Sequence, residues 1–378
     1  MITPRDQQDL MEIIADGVAR GSKLELRGGG TKDQFGAPRT GIAVSLRRLS
    51  GIVDYDPGEL VLTVRPGTPL VAVEAMLAAE GQMLAFEPWG AEGATIGGTV
   101  AAGIAGSRRV TAGSARDHLL GFTAVSGRAQ TFIAGAKVVK NVTGYDLPKL
   151  LTGSWGRLGA MTEMTLKVLP RPQQTITMVA RGVSLRTAYA AMARALGSNI
   201  DVSAAAHLRT GEVLLRVAGF AVSVEARCAA LADLLANHCE LRPLPCNEAA
   251  PMWRRAMSGD DLLGETRWDV HLPPRHAADL IEALEPQQID WAMDWGGGRV
   301  WIALDREQGR VRGEAARLGG EARLAQAPPE LRLRMPAFHP RHASVATLEQ
   351  RVRQAFDPAG VFATGRFRED VHADQLFA

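Results

Sequence analysis

Cysteine is scarce in this sequence. None of its three copies, Cys228, Cys239 and Cys246, stands in a spacing that ligates zinc or an iron–sulfur cluster. They are expected as reduced residues in or near a core, and electron chemistry would proceed without a cluster held by this chain. Long apolar runs are missing too: none approaches the about 20 residues that cross a bilayer. The first ten residues carry Arg5, Asp6 and Asp9 where a signal peptide would be apolar. The expected location is therefore cytoplasmic, with no membrane span. Nor is there an excess of charge of one sign. The 43 basic and 41 acidic residues leave a formal +2, which gives no support to binding nucleic acid through bulk charge. What is present excludes disorder: 46% of residues are hydrophobic and 22% charged, over 378 positions, enough for two ordinary cores.

Two residue types are unevenly spread. Of 40 glycines, 25 fall within residues 1–172, and all six lysines fall there as well, although arginines run through the whole chain. Lys137, Lys140 and Lys149 gather near one Gly-rich turn; they read either as a functional cation cluster or as a solvated face. Pro170-Arg171-Pro172 then breaks the chain after a strand-like run at 162–169. Beyond it the pattern becomes regular. A strand at 175–181, a helix at 185–196, a hairpin of 202–208 and 212–220, and a helix at 222–236 are followed by a second pass in the same order. That pass has a strand at 267–272, a helix at 276–284, a hairpin of 289–295 and 299–304 about Gly296-Gly297-Gly298, and a helix at 308–318. The expectation is an α+β middle domain with ferredoxin-like halves. A last helix is expected at 345–356.

The glycines carry the chemistry. A helix at 6–19 and a strand at 23–27 lead into Gly28-Gly29-Gly30-Thr31-Lys32, whose successive amides can point one way and bind an anion, although neither the GxxxxGK[ST] nor the GxGxxG spacing is met. Residues 89–106 are nearly free of large side chains. Gly93, Ala94, Thr95, Ile96, Gly97 and Gly98 suit a loop lying flat against a ligand. The Ala/Gly run from Thr99 suits a closely packed helix presenting its N-terminus to phosphate. A third cluster spans 137–159. Strand-like runs at 60–64 and 129–133 separate the three, so they can converge on one elongated ligand with a diphosphate at its middle.

In order and spacing, Gly28-Gly29-Gly30-Thr31, Ala94-Thr95-Ile96-Gly97-Gly98, Thr143-Gly144-Tyr145-Asp146-Leu147 and Gly153-Ser154-x-Gly-x-Leu158-Gly159 resemble the FAD-binding domain of the vanillyl-alcohol-oxidase (PCMH-type) flavoproteins. The ending Phe356-Asp357-Pro358-x-Gly360-Val361-Phe362-Ala363-Thr364-Gly365-Arg366 resembles that family's Phe-Asp-Pro-x-Gly-x-x-Asn-Pro-Gly-Lys tail. The Lys137-Val138-Val139-Lys140-Asn141-Val142-Thr143-Gly144-Tyr145-Asp146-Leu147 run and the short middle domain are most similar to the flavin-binding E subunits of bacterial glycolate oxidase. The resemblance implies a PCMH-type FAD-binding domain of two α+β subdomains at 1–172 and a reduced, ferredoxin-like cap at 173–330. A segment at 331–378 would return toward the flavin. It further implies that Gly28, Gly29, Gly30 and Thr31 line the pyrophosphate, that residues 93–98 run beside the ribityl chain and flavin with Gly103 and Gly106 on the following helix, and that Met161 and Thr162 lie near the adenine. The residue after these glycines is Thr31 where covalent members carry His, so the FAD is expected to be dissociable.

The resemblance also has gaps. The cap motif His-x-Gly-Asp-Gly-Asn-x-His, which supplies metal ligands and a base in single-chain relatives, is absent. Arg366 stands where the tail has Lys, either near the flavin or as a surface residue. His207 and His271 lie in strand-like runs and read as structural. No catalytic base and no metal site are identified. The leading expectation is a FAD-binding subunit oxidising glycolate, a small 2-hydroxy acid, to glyoxylate only together with partners. The resemblance implies a larger FAD-containing subunit and an iron–sulfur subunit, and allows peripheral attachment at the inner membrane through them. A self-sufficient FAD oxidase, with His271 or Tyr145 as base, and a scaffold subunit that has lost flavin remain as alternatives.

Overall fold

The computed structural model describes residues 1–136, 144–305 and 310–367. Asp6 starts the first helix by accepting the Asp9 amide. Gln7–Ala19 then turns Leu10, Ile14 and Gly17 inward, the spacing of one helical face. This face packs on a parallel pair, Leu24–Arg27 beside Ile42–Ser45, in a core of Leu10, Ile14, Leu24, Val44 and Leu46. A second unit is a five-stranded antiparallel sheet in the order Ile52–Asp56, Val61–Val64, Ala160–Lys167, Leu119–Val125, Thr131–Gly135. Its helix Leu70–Ala79 buries Leu70, Val73 and Leu77 against Leu62, Phe122 and Met164. The edge strand begins two residues later than the pattern suggests because Ala129 turns the chain at φ 55°.

The middle of the chain forms one antiparallel sheet of eight strands. Its order is Arg242–Leu244, Gln174–Ala180, Val213–Gly219, Val202–Leu208, Asp290–Asp294, Arg299–Leu304, Thr266–His271, Glu321–Gln326. The expected repeat is visible in that order. Each half runs strand, helix, two strands, helix, strand, and the halves abut where His207 and Leu208 pair with Met293 and Ala292. Helices Leu185–Leu196, Ala221–Leu235, Ala277–Leu284 and Arg310–Arg317 cover one face over a single large core. The closing strand of each half, too short or too polar to register as alternation, is what the sequence pattern omits. The helix Cys246–Ser258, on the opposite face with Trp253 and Ala256 buried, is also omitted, because Pro251 sits inside it.

The end of the chain returns to its beginning. Helix Ala343–Phe356 leans Val352 and Phe356 on the five-stranded unit. Both Asp357 carboxylate oxygens then accept amides, from Val361 and Phe362. That turn drives the two side chains into the core beneath the first helix.

Candidate functional site

Strand Leu24–Arg27 delivers the glycine triplet, helix Ile96–Ala102 the second cluster, and the turn around Trp155 the third. They meet around a solvent-open cavity of about 820 Å³. Gly28, Gly29, Gly30, Thr31, Ala94, Thr95, Gly97, Gly98 and Met161 line it, with Leu26, Leu46 and Trp155 as apolar wall. Five successive amides, those of residues 28 to 32, donate to no protein acceptor among the described residues. That is the donor array an anionic group requires. The helix is not such an array. Its amides at Ile96, Gly97, Gly98 and Thr99 are already taken by Thr68 O, Pro66 O, Thr95 Oγ1 and Thr95 O.

The glycines themselves answer mostly to backbone packing. A Cβ on Gly28 would lie 2.4 Å from Thr95 Oγ1, one on Gly29 1.9 Å from Gly93 O, and one on Gly97 2.4 Å from Pro66 Cβ. The loops are thus bare because they press on each other, and this mutual approach shapes the cavity. Arg47 Nη2 fastens them further, 3.4 Å from both Gly29 O and Gly93 O.

Five of the expected residues lie outside the cavity wall. Ile96 is fully buried in the core below, and Gly93, at φ +86°, faces Arg47. Gly103 ends the helix in the left-handed conformation and opens onto a neighbouring cavity. Gly106 packs on Glu87 and accepts Trp295 Nε1 with its carbonyl. Thr162, expected near an adenine, donates instead to Gln7 Oε1 at 2.6 Å and faces the first helix. Arg366 is no surface residue: it is 7% exposed, and donates to Phe35 O and Lys32 O at 2.9 and 2.8 Å, bracing the loop beyond the glycines. Burial pushes Arg366 down to about 10 and the Lys32 ammonium down to about 8. Tyr145 is 93% exposed and Lys149 pairs with Asp146 at the surface, while Lys137, Lys140 and Thr143 lie outside the described residues.

Thr31, Lys32, Ala102 and Trp155 also line a second cavity, of about 1170 Å³, between these loops and the eight-stranded sheet. Its sheet wall is a polar row of which the sequence reading named only His271: Arg267, Asp269 and His271 on one strand, Arg299 and Trp301 on the next, Arg323 on the edge. The signal was available as alternation, since Trp268, Val270, Val300, Ile302 and Leu324 face the core from the same strands. His207, by contrast, is 2% exposed and packs edge-on against Trp291, a structural position. Among the described residues no group of three or more His, Cys, Asp or Glu is placed to hold a metal ion. None of their helices is long and apolar enough to cross a membrane.

Residues 1–135 match a family model described as an FAD binding domain. The glycolate oxidase subunit GlcE of Escherichia coli K12 is 34% identical, over 95% of this chain and 96% of its own. The glycolate oxidase subunit GlcD of Bacillus subtilis is 29% identical over 48% of this chain and 39% of its own. A D-lactate dehydrogenase of Anaerostipes hadrus is 34% identical over 37% and 29%. Among solved structures, alkyldihydroxyacetonephosphate synthase superposes with a TM-score of 0.69 over 95% of this chain and 74% of that one. At 15% identity this is a likeness of fold.

Proposed function

The chain belongs to the family of the glycolate oxidase subunit GlcE, and from that premise we propose that it is the FAD-binding subunit of a glycolate oxidase complex, oxidising glycolate to glyoxylate together with its partners. The observation that carries the reading is the run of five unengaged amides at residues 28 to 32, in a loop that lines a cavity whose wall combines Leu26, Leu46, Trp155 and Met161 with the charged side chains of Arg27, Asp33, Arg39 and Arg366. A diphosphate satisfies those donors, and Leu26, Leu46, Trp155 and Met161 suit a flat, weakly polar ring system. Bound FAD supplies the acceptor for the hydride that leaves the alcohol carbon. The chain's own part is to cradle the diphosphate, to hold the loop through Arg47 and Arg366, and to cover the site with the cap sheet. Thr31 offers no side chain for attachment through an imidazole, so the flavin is held without a covalent bond.

On this reading residues 1–172 are the flavin-binding unit, 173–330 the cap, and 331–378 the returning segment. The complex contains a larger flavoprotein subunit and an iron–sulfur subunit that takes the electrons onward. The location is the cytoplasm, with contact to the inner membrane through those partners. The test is direct. The purified chain, incubated with FAD and desalted, is expected to retain about one flavin and to release all of it into the supernatant on acid precipitation. A chain that stays colourless would instead be a scaffold subunit; yellow precipitate would overturn the non-covalent attachment.

A further inference from the structure

The second cavity concentrates positive charge in a chain that is nearly neutral. Lys32, Arg109, Arg267, Arg299 and Arg323 face it, against Asp260 and Asp269 alone among the described residues. The two carboxylates are spoken for: Asp260 pairs with Arg267 at 3.0 Å, and Asp269 accepts Arg299 Nε at 2.8 Å. Arg109 and Arg323 have no carboxylate partner among the described residues. Arg109 lies 4.5 Å over the Trp295 ring at the cavity mouth, and Arg323 reaches His271 Nδ1 at 3.3 Å. Both also line a further, outer cavity that opens beyond them. Two guanidiniums that feel Asp269, and in the case of Arg109 also Asp117, without a salt bridge to either, stand where an open basic vestibule meets a cavity walled by tryptophans and make a site for a small anion.

His271 has a definite part in this. A guanidinium can only donate, so Nδ1 accepts and the imidazole proton sits on Nε2, which lies 3.0 Å from Asp269 Oδ1. Nδ1 is engaged by Arg323, whereas Nε2 lies within ion-pair distance of Asp269 without an aligned hydrogen bond. Burial, opposed by Asp269 and reinforced by Arg323, holds the imidazole below its ordinary range and keeps it neutral. A neutral ring with no free lone pair is a poor proton acceptor but a good bracket.

We propose that Arg109 and Arg323 bind the carboxylate of a small organic acid in this cavity, and that His271, fixed by Asp269, is a positioning residue that aims Arg323 and is not the base. The inference rests on the flavin reading, since the acid site adjoins the glycine cavity through Lys32 and Trp155. The alternative source of negative charge is the cofactor itself, and the test separates the two.

The probe is oxalate, which cannot reduce flavin. The full chain is titrated with it twice: loaded with FAD, reading the flavin spectrum, and without FAD, reading tryptophan fluorescence from the ring-lined cavity. Saturable binding is expected in both. Arg109→Met and Arg323→Met should each weaken it about tenfold or more while flavin stoichiometry is unchanged. His271→Ala should weaken it several-fold, and His271→Asn, whose amide oxygen can still accept from Arg323, should restore most of the loss. Arg109 is exposed, so its variant tests the site even if Arg323→Met does not fold. Absence of saturable oxalate binding, or loss of FAD together with oxalate in the arginine variants, would overturn the proposal. Binding of oxalate that depends on Arg323 in a chain that takes up no FAD would leave the acid site standing and bring down the flavin reading.

Discussion

A single methyl group distinguishes the glycines that shape the site from those that merely occur in the chain. Gly29 has no room: its Cβ would meet Gly93 O at 1.9 Å, backbone against backbone. Gly29→Ala is therefore expected to part the two loops, to destabilise the fold by about 1–3 kcal/mol, and to abolish flavin retention in a gel-filtered sample. Gly313, inside helix Arg310–Arg317, has nothing within 4 Å of its would-be Cβ and no unusual φ. Gly313→Ala should stabilise by about 0.5–1 kcal/mol, read as a higher midpoint in urea. Asp294 provides a second kind of residue-scale test. It is fully buried between the eight-stranded sheet and the loop at Ser107, accepting from Ser107 Oγ and the Trp295 amide, and burial raises its carboxyl to about 7. A pKa raised in the folded state means that the folded chain holds the proton. The resulting stability is complete below about pH 4, where the unfolded group is protonated too, and is lost as pH rises through 7. Asp294→Asn removes this titration. Its melting temperature should fall less than the parent's between pH 4 and 8, and equal slopes would refute the assignment.

At the scale of elements, the eight-stranded sheet is held to the loops around Glu87 and Gly106 by well-made polar contacts. Arg216, on strand Val213–Gly219, grips Glu87 with two nitrogens at 2.6 and 2.8 Å. The same carboxylate accepts the Arg108 amide. Trp295 Nε1 to Gly106 O, Ser107 Oγ to Asp294 and Thr111 Oγ1 to Ser203 O add to the seam. Removing one member of a largely buried pair leaves the other charge without a partner. Arg216→Met is thus expected to cost about 3 kcal/mol, and the double variant with Glu87→Gln less than the sum of the singles. Fully additive losses in a double-mutant cycle would show that the pair does not act as a clasp. The polar row facing the second cavity and the apolar row facing the helices belong to the same strands, so the eight-stranded sheet is at once a core wall and a cavity wall.

Over the whole molecule, the last described residues complete the first subdomain: Val361 and Phe362 fill the core under helix Gln7–Ala19, and Arg366 braces the loop at Lys32 and Phe35. Ending the chain after Phe356 should therefore leave Leu10, Ile14 and Leu24 uncovered and give a protein that aggregates or takes up no flavin. A soluble, yellow truncated chain would contradict this. The strand–helix–hairpin–helix order of the cap, the bare loops at 28–31 and 93–98, and the anion-binding promise of the glycine triplet were all legible in the sequence, because periodicity and glycine content report on local backbone and on one face of an element. Four things were not. Tertiary contact alone decided that Thr162 turns to Gln7, that the helix at Ile96 spends its amides on its own neighbours, and that Gly97 yields to Pro66. Contact across strands, between residues 28 to 54 apart in sequence, likewise brought Arg299, Arg323, Asp269 and His271 into one wall. The reason is physical: a sequence specifies what each segment can bury or donate, but which partner receives it depends on how distant segments are brought together when the core closes.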